Sequence, residues 1–248
     1  MSIGDKTIIS FVSPYKLKDI IIPELNSVTG FDHQIDQQKF NLRMANSDGR
    51  REQASMLLKK MYAWRGYSIE PTTEKKEPNK ITLVADTNGE TIGTMTLYFD
   101  SEIGLPADEN YHDKLDELRA QKRKLCEPSR LAIVENVPKR VFASLIHVSY
   151  IYAHNIYGFT DYVIEINPRH AMFYKRMLGF HDFGEERICT RVNAPAVLLR
   201  LELEHMTEQI QKFGGMMDQH GKEKSFYPYF FSRWDEPGIT DRLISGRT

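Results

Sequence analysis

Two cysteines, Cys126 and Cys189, are all that 248 residues contain, too few for a disulfide framework and without the spacing of a zinc site. A long apolar run is also missing. The most apolar stretch, 141–159, is interrupted by His147, His154 and Asn155, which favours a buried helix over a membrane span. Residues 1–11 lack the extended apolar core of a secretory leader. Neither charge sign is in excess: 33 Lys and Arg against 34 Asp and Glu leave a net charge of −1. Such a balance argues against a nucleic-acid partner or an anionic membrane surface. Apolar residues are 41% of the chain and charged residues 27%, so a globular protein with a core of its own is expected, and the scarcity of cysteine makes a reducing, cytoplasmic address the expectation.

Elements follow from periodicity and turn chemistry. Residues 39–44 predict a strand, and Ala54, Leu57, Leu58 and Met61 recur at helical spacing within 50–67. Strands are expected at 81–85 and 91–99, joined through Asn88-Gly89, a hairpin dipeptide. A charged insertion, 100–124, holds a helix over 111–122. A strand at 125–134, a helix at 137–157, a strand at 162–166 and a helix at 169–177 ended by Gly179 come next. The pair 181–189 and 196–203 closes the sheet, and a helix at 204–217 precedes an aromatic segment, 226–234. The order is that of an α+β domain with a mixed, mostly antiparallel sheet flanked by helices. Residues 39–204 form the domain, 1–38 an N-terminal extension packed on it, and 205–248 a helical and aromatic extension.

A more local absence is glycine in the turn from the 125–134 strand into the next helix. Many transferases cradle a phosphate there with glycines. This turn instead has Asn136, Pro138, Lys139 and Arg140. Cations in the first turn oppose the helix dipole by about 0.3–1 kcal/mol each, so they ask for a reason beyond helix stability.

The element order, with Asn167 to Tyr174 and then Gly179-Phe180, resembles the GNAT acyltransferase superfamily. Glu127-Pro128-Ser129-Arg130-Leu131 resembles the reaction strand of LuxI-type acyl-homoserine lactone synthases. The run Pro168-Arg169-His170 to Gly179-Phe180, Gly184 to Glu186 and above all 191–200 resembles the FeeM-type N-acyl amino acid synthases. The resemblance spans about residues 39–205. It implies a central sheet splayed in the middle. It also implies transfer of a long-chain acyl group from the phosphopantetheine thioester of acyl carrier protein to the α-amine of an amino acid.

For that reaction the expected catalytic residues are Glu127, as the group that takes the amine proton, and Arg130, which would hold Glu127 ionised or bind the acceptor carboxylate. A backbone N–H of Leu131 or Ala132 would face the thioester carbonyl. Glu127 and Arg130 are three apart, so a regular strand would place them on opposite faces. Pro128 between them predicts a bulge or irregular start at 127–129 that turns both toward one cleft. Lys139, Arg140 and Asn167 are the donor-site candidates, with Lys122-Arg123-Lys124 facing an acidic carrier. Arg169, His170 and Tyr174 are the acceptor-site candidates, and Glu165 is a second candidate base. Tyr174 stands five residues before Gly179, where the superfamily pattern has four. One residue rotates a helix by about 100°, so a general-acid role does not carry over. His147 and His154 read as core histidines.

Three other readings stay open: a LuxI-type synthase using S-adenosylmethionine, an acyl-coenzyme A-dependent N-acetyltransferase, and a GNAT-fold acyl-binding or sensor protein without turnover. No metal is expected.

Overall fold

The hairpin at Asn88-Gly89 shows how local chemistry sets the sheet. Asn88 (φ 49°) and Gly89 (φ 82°) both take the left-handed conformation that a two-residue hairpin of this hand requires. They join β3 (Lys80–Thr87) to β4 (Glu90–Phe99). The computed structural model describes residues 7–13, 38–64, 79–135, 137–217 and 223–245. Most of the expected 1–38 extension, the last residues of the helix expected at 50–67, and Asn136 lie outside the described residues.

Among the described residues, eight strands form one sheet in the order β1-β2-β3-β4-β5-β6-β8-β7. The remaining strands are β1 (Ile9–Ser13), β2 (Gln38–Met44), β5 (Leu125–Ile133), β6 (Asp161–Ile166), β7 (His181–Cys189) and β8 (Ala194–Glu202). Every neighbouring pair is antiparallel except β5–β6. The sheet is therefore mixed and mostly antiparallel, as its element order predicts. β1, which the sequence pattern does not single out, pairs with β2 and extends the sheet edge.

Helices cover both faces. α1 (Asp48–Trp64) turns Leu57, Leu58 and Met61 onto Ala132 of β5. α2 (Asp108–Ala120), within the charged insertion, buries Tyr111, Leu115 and Leu118 against Tyr98, Leu125, Val163 and Leu198. α3 (Lys139–Tyr150) lies on the other face and buries every residue from Val141 to Tyr150. A helix buried on every side must be enclosed, and the C-terminal segment completes that enclosure. α3 runs on as a π-helix over Ile151–Ile156, so one predicted helix is two backbone forms. Pro168–His170 makes a turn of 3-10 helix into α4 (Ala171–Leu178), which Gly179 ends in the left-handed conformation, φ 87°.

Beyond β8 the chain forms α5 (Leu203–Phe213), an aromatic segment with Phe226, Tyr227, Tyr229, Phe230 and Phe231 buried, and α6 (Glu236–Ser245). Trp234, the last of the expected aromatic set, stays 77% exposed. His147 shows why the segment docks where it does. Its buried ring stacks on Phe230 (4.9 Å) and Phe231 (5.5 Å), accepts the Phe231 N–H at Nδ1 (3.0 Å) and meets Glu236 through Nε2 (2.9 Å). Both ring nitrogens are satisfied, as expected of a core histidine; His154 likewise contacts the Phe159 carbonyl.

Candidate active site

β5 and β6 are paired in parallel only at Leu125–Asp161 and Cys126–Tyr162. Past those positions the strands separate. Asp161 holds the closed end: fully buried, it binds Arg123 (2.6 Å), Arg200 (2.8 Å) and Thr160 (2.5 Å). Those hydrogen bonds outweigh burial and keep its carboxyl below the usual range. Arg123 is thereby committed inward, which removes it from the expected carrier-facing trio; Lys122 and Lys124 are exposed.

Where the strands part, a cavity of about 700 Å³ opens, within the usual range for a small-molecule site. Its walls divide by the alternation of β6. Tyr162, Ile164 and Ile166 point to the α3 side and join Met95, Ile146 and Leu178 in an apolar wall. Glu165 points the other way, where Arg130, Thr190 and Arg191 make the wall polar. Asn167, His170 and Tyr174 line the same space.

The bulge on β5 is displaced from its expected place. Glu127, Pro128 and Ser129 pair regularly with Tyr98, Leu97 and Thr96. The extra residue enters between Ser129–Thr96 and Ala132–Thr94, so Arg130 and Leu131 together oppose Met95. Arg130 is left-handed (φ 51°), a conformation that costs a side-chain-bearing residue about 1–3 kcal/mol. The proline is tolerated where it stands, and the strain falls two residues later. The bulge does bring both side chains to one face. Tyr98 is the cross-strand partner of Glu127, and the Arg130 guanidinium sits 5.6 Å from the Tyr98 ring centroid.

The two do not form an ion pair. Glu127 is 2% exposed and lies just behind the cavity wall, where Oε2 accepts the Ala107 N–H at 2.8 Å. Burial pushes its carboxyl up to about 8, against the opposing pull of that N–H and of the Arg191 charge. Arg130 makes no ion pair among the described residues.

Glu165 is the carboxylate on the wall itself. Its side chain, 2% exposed, pairs with Arg191 and accepts the Asn110 side-chain N–H at 3.1 Å. Arg191 also approaches Glu109, so the polar wall is shared between the α2 insertion and the β7–β8 turn. Arg191 was not a candidate from its residue type. Its only signal was its place at the head of the 191–200 run. Cys189, buried beside Arg191 and Glu165, has its thiol pushed up by burial, the opposite of an activated nucleophile.

The remaining candidates fall elsewhere. Lys139 and Arg140 occupy the first turn of α3 but lie over the rings of Tyr229 (5.8 Å) and Phe231 (5.4 Å), off the cavity wall. Arg169 is exposed and meets the His170 ring at 3.2 Å. Ala132 is buried under α1. Tyr174 does reach the cavity and packs edge-on against Phe173 (5.2 Å) and Phe180 (5.9 Å).

A mixed sheet opened between two parallel central strands, with a cavity in the opening, is the architecture of a GNAT-fold N-acyltransferase. A family profile described as N-acyl amino acid synthase FeeM matches residues 53–202, and the chain belongs to that family. The solved structure of FeeM, an N-acyl amino acid synthase from uncultured soil microbes, is 25% identical with a TM-score of 0.62, covering 68% of this chain and 94% of that one. Weaker likenesses are to the acyl-homoserine lactone synthase LasI (15% identical, TM-score 0.46, 67% and 91% covered) and to an N-acetyltransferase from Staphylococcus aureus Mu50 (14%, 0.47, 66% and 98%). No curated protein sequence matches the chain. Among the described residues, no helix is long and apolar enough to cross a membrane.

Proposed function

We propose that this acyltransferase moves a long-chain acyl group from acyl carrier protein to the α-amine of an amino acid. The observation that carries the reading is the two-sided cavity between β5 and β6. One wall is apolar and suits a hydrocarbon chain; the other carries Arg130, Glu165 and Arg191 and would suit a zwitterionic acceptor.

In this reading the acceptor carboxylate binds Arg130, whose guanidinium is held over Tyr98. Glu127 takes the amine proton through water. A carboxyl near 8 lies much closer to an amino acid's ammonium group than an ordinary carboxyl does, so the transfer is far less uphill. The amine nitrogen then attacks the thioester carbon. Charge on the oxygen is met by the backbone N–H of Leu131, at the bulge where the regular ladder to β4 is interrupted. The C–S bond breaks and the C–N bond remains; the proton held by Glu127 goes to the departing thiolate, and the freed carboxylate then takes the second proton from the acylated nitrogen and releases it to solvent.

The donor assignment is supported by the glycine-free turn before α3 and by the rings of Tyr229 and Phe231 under Lys139 and Arg140. A single phosphopantetheine phosphate suits that crowded helix start better than the diphosphate of coenzyme A. Asn167, at the open end of β6, would contact the pantetheine arm.

The test is turnover by the full chain with palmitoyl carrier protein, palmitoyl-coenzyme A or acetyl-coenzyme A and an amino-acid mixture, with products read by mass. N-palmitoyl amino acid formed from the carrier protein supports the reading. Product from acetyl-coenzyme A alone overturns it.

A further inference from the structure

The matched family region ends at residue 202, yet the chain beyond it is packed against the helix that forms part of the cavity wall. α4 has only eight residues, and its last carbonyls are taken by the C-terminal segment. The Phe226 N–H donates to the Met177 carbonyl (2.9 Å), and the buried Tyr227 hydroxyl donates to the Leu178 carbonyl (2.6 Å). A helix end otherwise leaves such carbonyls to water.

Side chains continue the link. The Phe226 ring lies 4.8 Å from Phe142 of α3 and 5.8 Å, edge-on, from Phe173 of α4. Phe173 in turn meets Tyr174 edge-on at 5.2 Å, and Tyr174 and Leu178 face the cavity. Two backbone anchors and a row of three rings therefore fix one wall of the cavity from a segment that does not line it. Close-packed side chains transmit such positioning with little slack.

We infer that Phe226 and Tyr227 are positioning residues that set the acyl-chain length this enzyme accepts, by holding α4 against the cavity. The inference rests on the cavity being the acyl site. Releasing α4 lets its wall recede, so longer chains gain relative to shorter ones. A methylene in an apolar pocket is worth roughly tenfold or more in discrimination, so the effect is large enough to measure.

The experiment compares full-length wild type, Tyr227→Phe and Phe226→Leu with short, medium and long saturated acyl carrier proteins. Binding of the matching free fatty acids is followed by calorimetry. The expected result is a rise of about tenfold in the long-to-short ratio of kcat/KM for Phe226→Leu, with a smaller rise for Tyr227→Phe. Tyr227→Phe keeps the ring and decides the matter if Phe226→Leu does not fold. Equal loss for every chain length, or an unchanged ratio, overturns the inference alone when wild type binds and discriminates among the chains. Wild type that binds no acyl chain overturns the acyl-site reading together with it.

Discussion

The Ala107 N–H donates to Oε2 of Glu127 at 2.8 Å and joins the charged insertion before α2 to β5. A carboxylate in that position has lost nearly all of its bulk hydration and gained one donor. Its raised affinity for a proton follows from the imbalance, because a single neutral N–H offsets only part of the desolvation.

One prediction concerns rate. With its carboxyl at about 8, Glu127 is mostly protonated at neutral pH, and its basic form grows as pH rises through that value. We expect kcat/KM to increase with pH up to about 8 and then level. Glu127→Gln should lower turnover by about 10²–10⁴ and abolish that limb. A pH profile unchanged in the variant would assign Glu127 to structure alone.

The same group predicts a stability effect of definite sign. Its folded value lies above the ordinary 4.5, so the folded chain binds more protons than the unfolded chain between about 4.5 and 8. Stability from this group is full below 4.5 and falls as pH rises through the window, by about 1.4 kcal/mol for each unit. Denaturant midpoints of Glu127→Gln should fall less over that range than those of wild type, and the variant should be the more stable at pH 8.

Arg130 is expected to act on the acceptor. Arg130→Ala should raise the amino-acid KM at least tenfold while changing the donor KM little, since a charge-assisted contact is worth about 1.5–3 kcal/mol. Lysine should rescue only partly, because it lacks the planar fork that matches a carboxylate. Equal effects on the two KM values would place Arg130 outside the acceptor site.

His147 predicts acid sensitivity of the C-terminal segment. Burial holds its ring below the ordinary 6.5 despite the Glu236 carboxylate. The unfolded chain therefore takes up the proton first, and stability present above 6.5 is lost as pH falls below it. The hydrogen-exchange protection factor of Phe231, whose N–H bonds to Nδ1, should fall on acidification ahead of those of amides in β3 and β4.

Much of the fold was legible because it rests on short-range rules. The Asn88-Gly89 hairpin, the helical spacing of Ala54 to Met61 and the Gly179 stop are local signals, and the elements stand within a few residues of their predicted limits. β1 and α6 carry weaker patterns and gain their order from partners distant in the chain, β2 and the β1-proximal end of the core. For the site, the strand Glu127 to Ala132 and the helix bearing His170 and Tyr174 were readable as chemistry-bearing segments. The bulge position was not, since proline marks where a ladder is weak but not where the partner strand slips.

Sequence by itself determined the residue types and their order: an acidic and a basic group three apart on one strand, a turn without glycine, and a run at 191–200 that carries the family. Only tertiary structure decided that Glu127 is sealed under Ala107, that Arg191 reaches Glu165 across 26 residues, and that Lys139 and Arg140 lie over rings of the C-terminal segment. The reason is physical. Residue type fixes what a side chain can do, but burial and charge neighbours come from strands and helices far apart in the chain, and these set which carboxylate holds a proton and which cation is committed elsewhere.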